Sequence, residues 1–404
     1  MVVFGTELEA IQVPLLGNSF AVGLFSLLHI LLAALSVGFM LLAPLFEWRG
    51  RTHPYDLDLA LSLTRFTVVV FSVSTVLAVI MVELMIGLFP VTTMWIWNRF
   101  RVPILFGIAA FILQLFALYP YYHFWDALRR HSVAIHVTLG ALAAGFMLLW
   151  VLMLDGMGSH MLTPVDKHGS WDPLWNPTWI PLALHRMGGN FMIAGYSLSA
   201  YGAWRARSQE QAPLLAYYRH LFITGWKIGL GGLLVQPFTG LLYALFIRQS
   251  APDAYENLLN GTYRPFLYVQ FILIGLLFVG NYLLLKSMRP PKRSIPWFDF
   301  GFPVLAVLMV SSVGYPDIRR LFLYALVGLT AWSLVTIGRA ALSLPDLSAS
   351  SIRPLTLGMG LLAIVLYLTM GTIRETSRRP DTVTGKISIG DELRQRAQFN
   401  EALR

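Results

Sequence analysis

The chain has 404 residues, 56% of them hydrophobic and only 13% charged, with a mean hydropathy of +0.63; a soluble protein carries about 25% charged residues. Long uncharged runs from end to end exclude a soluble globular domain and predict an all-α fold, a polytopic transmembrane helix bundle. The net charge of +9 does not point to nucleic acid, because the Lys and Arg residues sit mainly in short loops, where they set orientation in the bilayer.

The absence of cysteine excludes disulfides, thiolate metal sites, iron–sulfur clusters and covalent haem attachment. A metal or cofactor then has to be held by His, Met, Glu, Asp or Tyr. No basic n-region precedes the first apolar run, which is expected to stay in place as a span rather than to be cleaved.

A window of about 20 apolar residues gives about ten spans, near 18–46, 62–89, 103–121, 133–154, 181–204, 218–247, 264–286, 298–315, 320–343 and 354–373. Arg49 and Arg51, Arg129 and Arg130, Arg205 and Arg207, then Arg289, Lys292 and Arg293 fall on one side if the N-terminus is outside. That is the positive-inside pattern; Arg99, Arg101, Arg378 and Arg379 run against it. The loop at 155–180 is then outside, with Trp171, Trp175 and Trp179 as an interfacial belt. A polar tail from about residue 375 is expected to cover the outer face or meet a partner.

The first span carries His29, on a face that runs Ser26, His29, Ala33, Ser36, Met40. The second carries Glu83 near its outer end. A carboxylate there is a proton carrier or a polar partner for a cofactor, or else an interfacial group paired with Arg99 or Arg101. The fourth span has a stripe His136, Gly140, Ala143, Met147, Trp150 with its histidine near the inner end. His136 and His220 read as loop-proximal groups bonded to backbone or lipid, or as ligands. His123 and His131 read as surface residues, and His160 and His168 as solvent groups of the outer loop.

The fifth span, within residues 177–204, places His185, Gly188, Met192, Gly195, Ser199 and Gly202 on one face. A flat macrocycle could lie in such a trough with its iron on the imidazole. The alternative is close packing of two helices through the small residues. Two histidines on the same predicted side, each above small residues, bring haem ligation level with the packing alternative.

The run HILLAALSVGF from His29, with a Glu-containing turn after it, the run PILFGIAAFILQLFALY from Pro103, the run LLWVLMLDGM and the segment WNPTWIPLALHRMGGNFMIAG around His185 resemble subunit I of the cytochrome bd quinol oxidases. The likeness is clear over roughly residues 18–246 and weak beyond, and its most specific piece is the His185 segment with its preceding Asn-Pro turn. It implies that residues 1–247 form a haem-binding half and 248–374 a second transmembrane bundle, followed by a tail at 375–404. In the family His29 corresponds to a ligand of the oxygen-reducing haem pair and His185 to an axial ligand of the low-spin haem b. Residues 374–386 correspond to a decayed Gly-Arg-Gln-Pro-Trp outer segment.

The departures are specific. Phe106 and Gln114 stand where the family has two glutamates of a proton route. The run YRPFLYVQFILIG has no methionine for the second low-spin ligand. Met370 stands near the expected glutamate ligand as a substitute. The quinol loop shrinks to residues 248–262, and the two spans near 298–343 have no counterpart.

The resemblance thus implies a haem-binding subunit of a bd-type or bd-like terminal oxidase in the bacterial cytoplasmic membrane, passing electrons from quinol to oxygen. Catalysis would use His29 and Glu83. Cofactor binding would use His185, His29, Met370 and His136, with His29 and His185 as the iron ligands. The cofactor would be haem of b type, or d, and the partners a second membrane subunit, quinol or quinone, a c-type cytochrome and lipid. The runner-up is a bd-like electron-transfer subunit without oxygen reduction. A transporter or structural subunit would show matching helix breaks in two halves; no such symmetry is seen, although Pro237 interrupts one span.

Overall fold

The computed structural model describes residue 13 and residues 17–166, 169–287, 296–341, 352–379 and 381–388. Arg289, Lys292, Arg293, His168 and the end of the tail lie outside the described residues. Twelve α-helices follow in order: α1 (Asn18–Arg49), α2 (Pro54–Leu88), α3 (Pro90–His123), α4 (Trp125–His131), α5 (Val133–His160), α6 (Trp179–Arg205), α7 (Ala212–Ser250), α8 (Pro252–Asn260), α9 (Arg264–Ser287), α10 (Pro296–Ser311), α11 (Pro316–Ala341) and α12 (Ile352–Ser377). A hairpin of β1 (Asp381–Val383) and β2 (Ile387–Ser388) turns at Gly385, which has φ +67°. The ten long helices match the ten predicted spans, and eight of them are long and apolar enough to cross a membrane. The other two are α6, which carries polar residues in its first half, and the 16-residue α10.

The boundaries differ where proline was read as a stop. α3 begins at Pro90 and continues through Pro103 with a bend at Phe100, whose backbone leaves helical values. α7 runs unbroken through Pro237. The Tyr324 hydroxyl of α11 donates to the Pro237 carbonyl at 3.3 Å and ties that stretch of α7 to its neighbour. Segment 248–262, expected as a loop, is mostly helix α8.

The tightest seam joins α6 to α7. Gly195 and Gly229 face each other, and a Cβ on Gly195 would stand 2.6 Å from the Gly229 Cα. Gly232 meets Met192 in the same way, with a would-be Cβ 2.6 Å from its nitrogen. The small-residue face of α6 below His185 is therefore filled by another helix. This corrects the reading of that face as a cradle for a macrocycle: missing side chains let two backbones approach and gain dispersion contact in a lipid solvent that offers no hydrophobic drive. Deeper in the bundle Asn281 ties three helices together. It accepts from Trp226 Nε1 at 2.9 Å and donates to the Tyr196 hydroxyl at 2.7 Å.

The basic residues Arg49, Arg51, Arg129, Arg130, Arg205 and Arg207 collect at the end where α1, α4 and α6 finish, and this is the inner end by the positive-inside rule. The opposite, outer end is closed by the loop between α5 and α6 and by the hairpin, whose Thr384 N–H donates to the Met161 carbonyl at 2.9 Å. Lys386 pairs with Asp166 at 2.7 Å and holds that exposed carboxyl below its ordinary value. The part of the tail described here thus covers the outer face.

Gly195→Leu is expected to force α6 and α7 apart and cost about 1–3 kcal/mol or more, by overpacking. Gly231→Leu, at a glycine with open space around it, is the neutral control. Thermal unfolding of the detergent-solubilised chain measures the difference.

Candidate functional site

Local chemistry at the start of α6 decides where its histidine goes. Asn176, in the Asn-Pro turn, is buried and donates through Nδ2 to the carbonyls of Gly156 at 3.0 Å and Leu174 at 3.1 Å. Thr163 and Thr178 share a hydroxyl contact of 2.6 Å. Trp179 Nε1 donates to the Leu152 carbonyl at 2.9 Å. This web pins the first turn of α6 to the end of α5. It also buries Trp179, whereas Trp171 and Trp175 stay exposed as an interfacial belt does.

His185 sits one and a half turns further on. Its Nδ1 lies 3.3 Å from the Thr239 hydroxyl of α7. That hydroxyl also lies 3.3 Å from the Val235 and Gln236 carbonyls of its own helix, to which it can give its hydrogen while accepting from Nδ1. Gln236 caps the other side by donating to the His185 carbonyl at 2.9 Å. The ring lies beside Tyr243, with centroids 6.2 Å apart. Gly240 passes so close that a Cβ there would stand 3.1 Å from Cε1. Nε2 has no hydrogen-bond partner among the described residues.

His29 repeats the arrangement on α1. Its Nδ1 lies 2.9 Å from the Ser74 carbonyl and 3.0 Å from the Ser74 hydroxyl. The carbonyl can only accept, so Nδ1 carries the hydrogen. Nε2 again has no partner among the described residues. His29 is therefore anchored on α2 and His185 on α7, and the helices that carry them meet where Gly38 lies against Asn190 and Ala194. The two imidazoles belong to two separate positions at the outer half.

Between them runs a polar network. Arg186 pairs with Asp155 of α5, which is 1% exposed. The Tyr367 hydroxyl of α12 lies within hydrogen-bond reach of Arg186 and donates to Asn190 Oδ1 at 3.1 Å. The buried hydroxyl of Tyr243 and the buried Oε1 of Gln236, both beside His185, have no partner.

The other sequence candidates fall elsewhere. His136 is fully buried at the inner end, and both ring nitrogens are engaged: Nδ1 with Glu47 Oε1 at 2.6 Å and Nε2 with the Tyr121 carbonyl at 2.9 Å. It offers no free nitrogen to a metal, which corrects its reading as a cofactor ligand. His220 pairs through Nε2 with Asp56 at 2.8 Å, with Arg49 on the same carboxylate at 3.1 Å. Glu83 is exposed on the flank of α2 beside Val79 and Ile86. It is not paired with Arg99, whose Nη2 donates to the Val165 carbonyl at 2.6 Å. Met370 is half-buried on α12, next to Gly371, which passes Leu27 of α1. Phe106 packs on Trp171 at the surface, whereas Gln114 is completely buried with both amide atoms unpartnered.

Sequence reasoning missed Glu47 and Asp155, the acids buried most deeply in α1 and α5, and treated His160 as a solvent group. His160 is 1% exposed, bonded through Nδ1 to the Pro173 carbonyl at 3.0 Å and packed against the rings of Trp95 and Phe100. The usable signal for Asp155 was an acid inside an apolar run with an arginine 31 residues later, in the next span. Among the described residues no three His, Asp or Glu side chains gather as a metal cage. A metal that brings its own macrocycle needs only one or two axial side chains, and a bare imidazole nitrogen held by an anchored Nδ1 is suited to that.

No family model and no curated protein matches the chain. Its fold matches a solved structure described as bd oxidase from Geobacillus thermodenitrificans. The TM-score is 0.66 over 96% of this chain and 94% of that one, at 15% identity. The chain is a multi-pass α-helical membrane protein with a bd-oxidase-like fold.

Asp155→Ala leaves Arg186 as an uncompensated charge among buried groups and is expected to cost about 3–5 kcal/mol. The double variant Asp155→Ala with Arg186→Met is expected to recover most of that loss in a thermal melt.

Proposed function

We propose that the chain is the haem-carrying membrane subunit of a bd-type or bd-like oxidase of the bacterial cytoplasmic membrane. In this reading it passes electrons from quinol through haem to oxygen, in complex with a second membrane subunit. The observation that carries the reading is the matched state of His29 and His185 within a bd-oxidase-like fold. Each imidazole is anchored through Nδ1 and presents an unengaged Nε2, one held by α2 and the other by α7.

The donor set fits the group. The unpartnered Tyr243 hydroxyl and Gln236 Oε1 beside His185 are buried polar atoms of the sort that a polar-edged ligand satisfies. Haem of b or d type, when bound, supplies reversible one-electron chemistry. The chain supplies the rest. Ser74 and Thr239 anchor the two rings, α7 packs against His185 through Gly240 and Tyr243, and Arg186 keeps positive charge beside it. Met370 is carried as a second soft ligand on α12, and Glu83 as an outer-side carboxylate at the flank where the second subunit would pack.

A second reading is favoured by one specific feature. Gln114 is neutral and Phe106 apolar where the resemblance expects glutamates, so proton supply for oxygen reduction is thin on this chain. In that reading the subunit only relays electrons, to quinone or to a c-type cytochrome.

A reduced-minus-oxidised visible spectrum of the purified protein is expected to show haem Soret and α-band changes, and their absence rules out both readings. His185→Ala is expected to remove the six-coordinate signal. His29→Ala is expected to abolish any carbon monoxide shift and leave that signal in place. A wild-type spectrum with haem but no carbon monoxide shift selects the electron-relay reading.

A further inference from the structure

The inner end of the bundle holds a buried charge cluster that the haem reading does not use. Glu47 (α1), Tyr121 (α3), Arg129 (α4) and His136 (α5) meet there, and Glu47 and His136 are both 0% exposed. The Tyr121 hydroxyl donates to Glu47 Oε2 at 2.8 Å and Arg129 Nε donates to Oε1 at 3.1 Å. His136 Nδ1 meets Oε1 at 2.6 Å, and its Nε2 meets the Tyr121 backbone carbonyl at 2.9 Å. The Tyr121 and Trp125 rings enclose the imidazole, with centroids 4.4 and 4.7 Å away.

Hydrogen-bond accounting fixes the proton inventory. A neutral imidazole carries one N–H and one lone pair. A backbone carbonyl only accepts, so Nε2 must carry a hydrogen, or two lone pairs face each other in a buried site. Nδ1 faces a carboxylate oxygen. Two donors, Tyr121 and Arg129, already favour the ionised carboxylate, which then needs an N–H from Nδ1 as well. Both nitrogens donate only if the ring is an imidazolium.

The cluster also has an aqueous side. A cleft of about 260 Å³ lined by Asp126, Arg129, Arg130 and Val133 opens beside it, and the Arg129 side chain is 18% exposed. The groups facing the pair are Tyr121 from α3 and Arg129 from α4, and Asp126 and Arg130 line the cleft behind the arginine.

We infer that Glu47 and His136 form a proton-holding pair at the inner end, in which the shared proton is kept on His136. The bound form is imidazolium against carboxylate. The dyad is independent of haem and of the outer histidines.

The test is nitrogen-15 histidine NMR on the full chain in lipid, with the His136 signal assigned by its loss in His136→Gln. If that variant does not fold, the signal is assigned by correlation to carbonyl-labelled tyrosine. Two protonated ring nitrogens at neutral pH are expected in the wild type. Glu47→Gln, which removes the counter-charge, is expected to leave one protonated and one bare nitrogen. A wild-type His136 with one bare nitrogen overturns the inference, as does a folded Glu47→Gln variant that keeps both protons; if Glu47→Gln does not fold, the wild-type spectrum decides alone.

Discussion

The approach of α6 to α7 through facing glycines is the constraint on which the rest of the arrangement depends. Because no side chain separates Gly195 from Gly229, Thr239 on α7 can come within hydrogen-bond reach of His185 on α6. The same seam brings Gln236 under the His185 carbonyl and Gly240 against the ring. A wider separation would lose all three contacts together. A small-residue face and a nearby histidine are thus one device: the glycines do not receive a ligand, but they set the distance at which the histidine is oriented.

Lipid sets the second constraint, because it leaves no water to satisfy a stray polar group. The chain meets it by gathering charges at the two ends. Asp155 and Arg186 close one pair at the outer end, and Glu47 with Arg129 and His136, then Asp56 with Arg49 and His220, close two more at the inner end. Removing one member of such a pair costs more than the pair contributes, since it strands a buried charge. The Asp155 pair joins consecutive helices and the two inner clusters join helices far apart in sequence, so the polar groups help to fix register across the bundle.

The number of long helices was legible because span length is dictated by bilayer thickness and each apolar run declares itself. Their ends were not. Pro103 and Pro237 look like breaks to a local reading, but the packed helices continue through both. His29 and His185 were legible as isolated histidines in apolar runs. The sequence could not tell them from His136, because the difference lies in partners 45 to 89 residues away: Ser74, Thr239 and Glu47. Nor could it distinguish a trough from a seam at Gly195, since both want the same small residues.

That difference in partners sorts the histidines by chemistry. An acceptor at Nδ1 alone fixes the tautomer and leaves Nε2 as a base for a metal. Acceptors at both nitrogens consume the lone pair and turn the ring into a cation that needs a carboxylate. His29 and His185 belong to the first kind and His136 to the second, and the two kinds lie in opposite halves of the bundle. His160, bonded at Nδ1 alone, would join the first kind by hydrogen bonding. It is set apart by Trp95 and Phe100, whose rings pack against its own. An unengaged nitrogen is therefore necessary for a haem ligand but not sufficient, and free space around the ring has to accompany it.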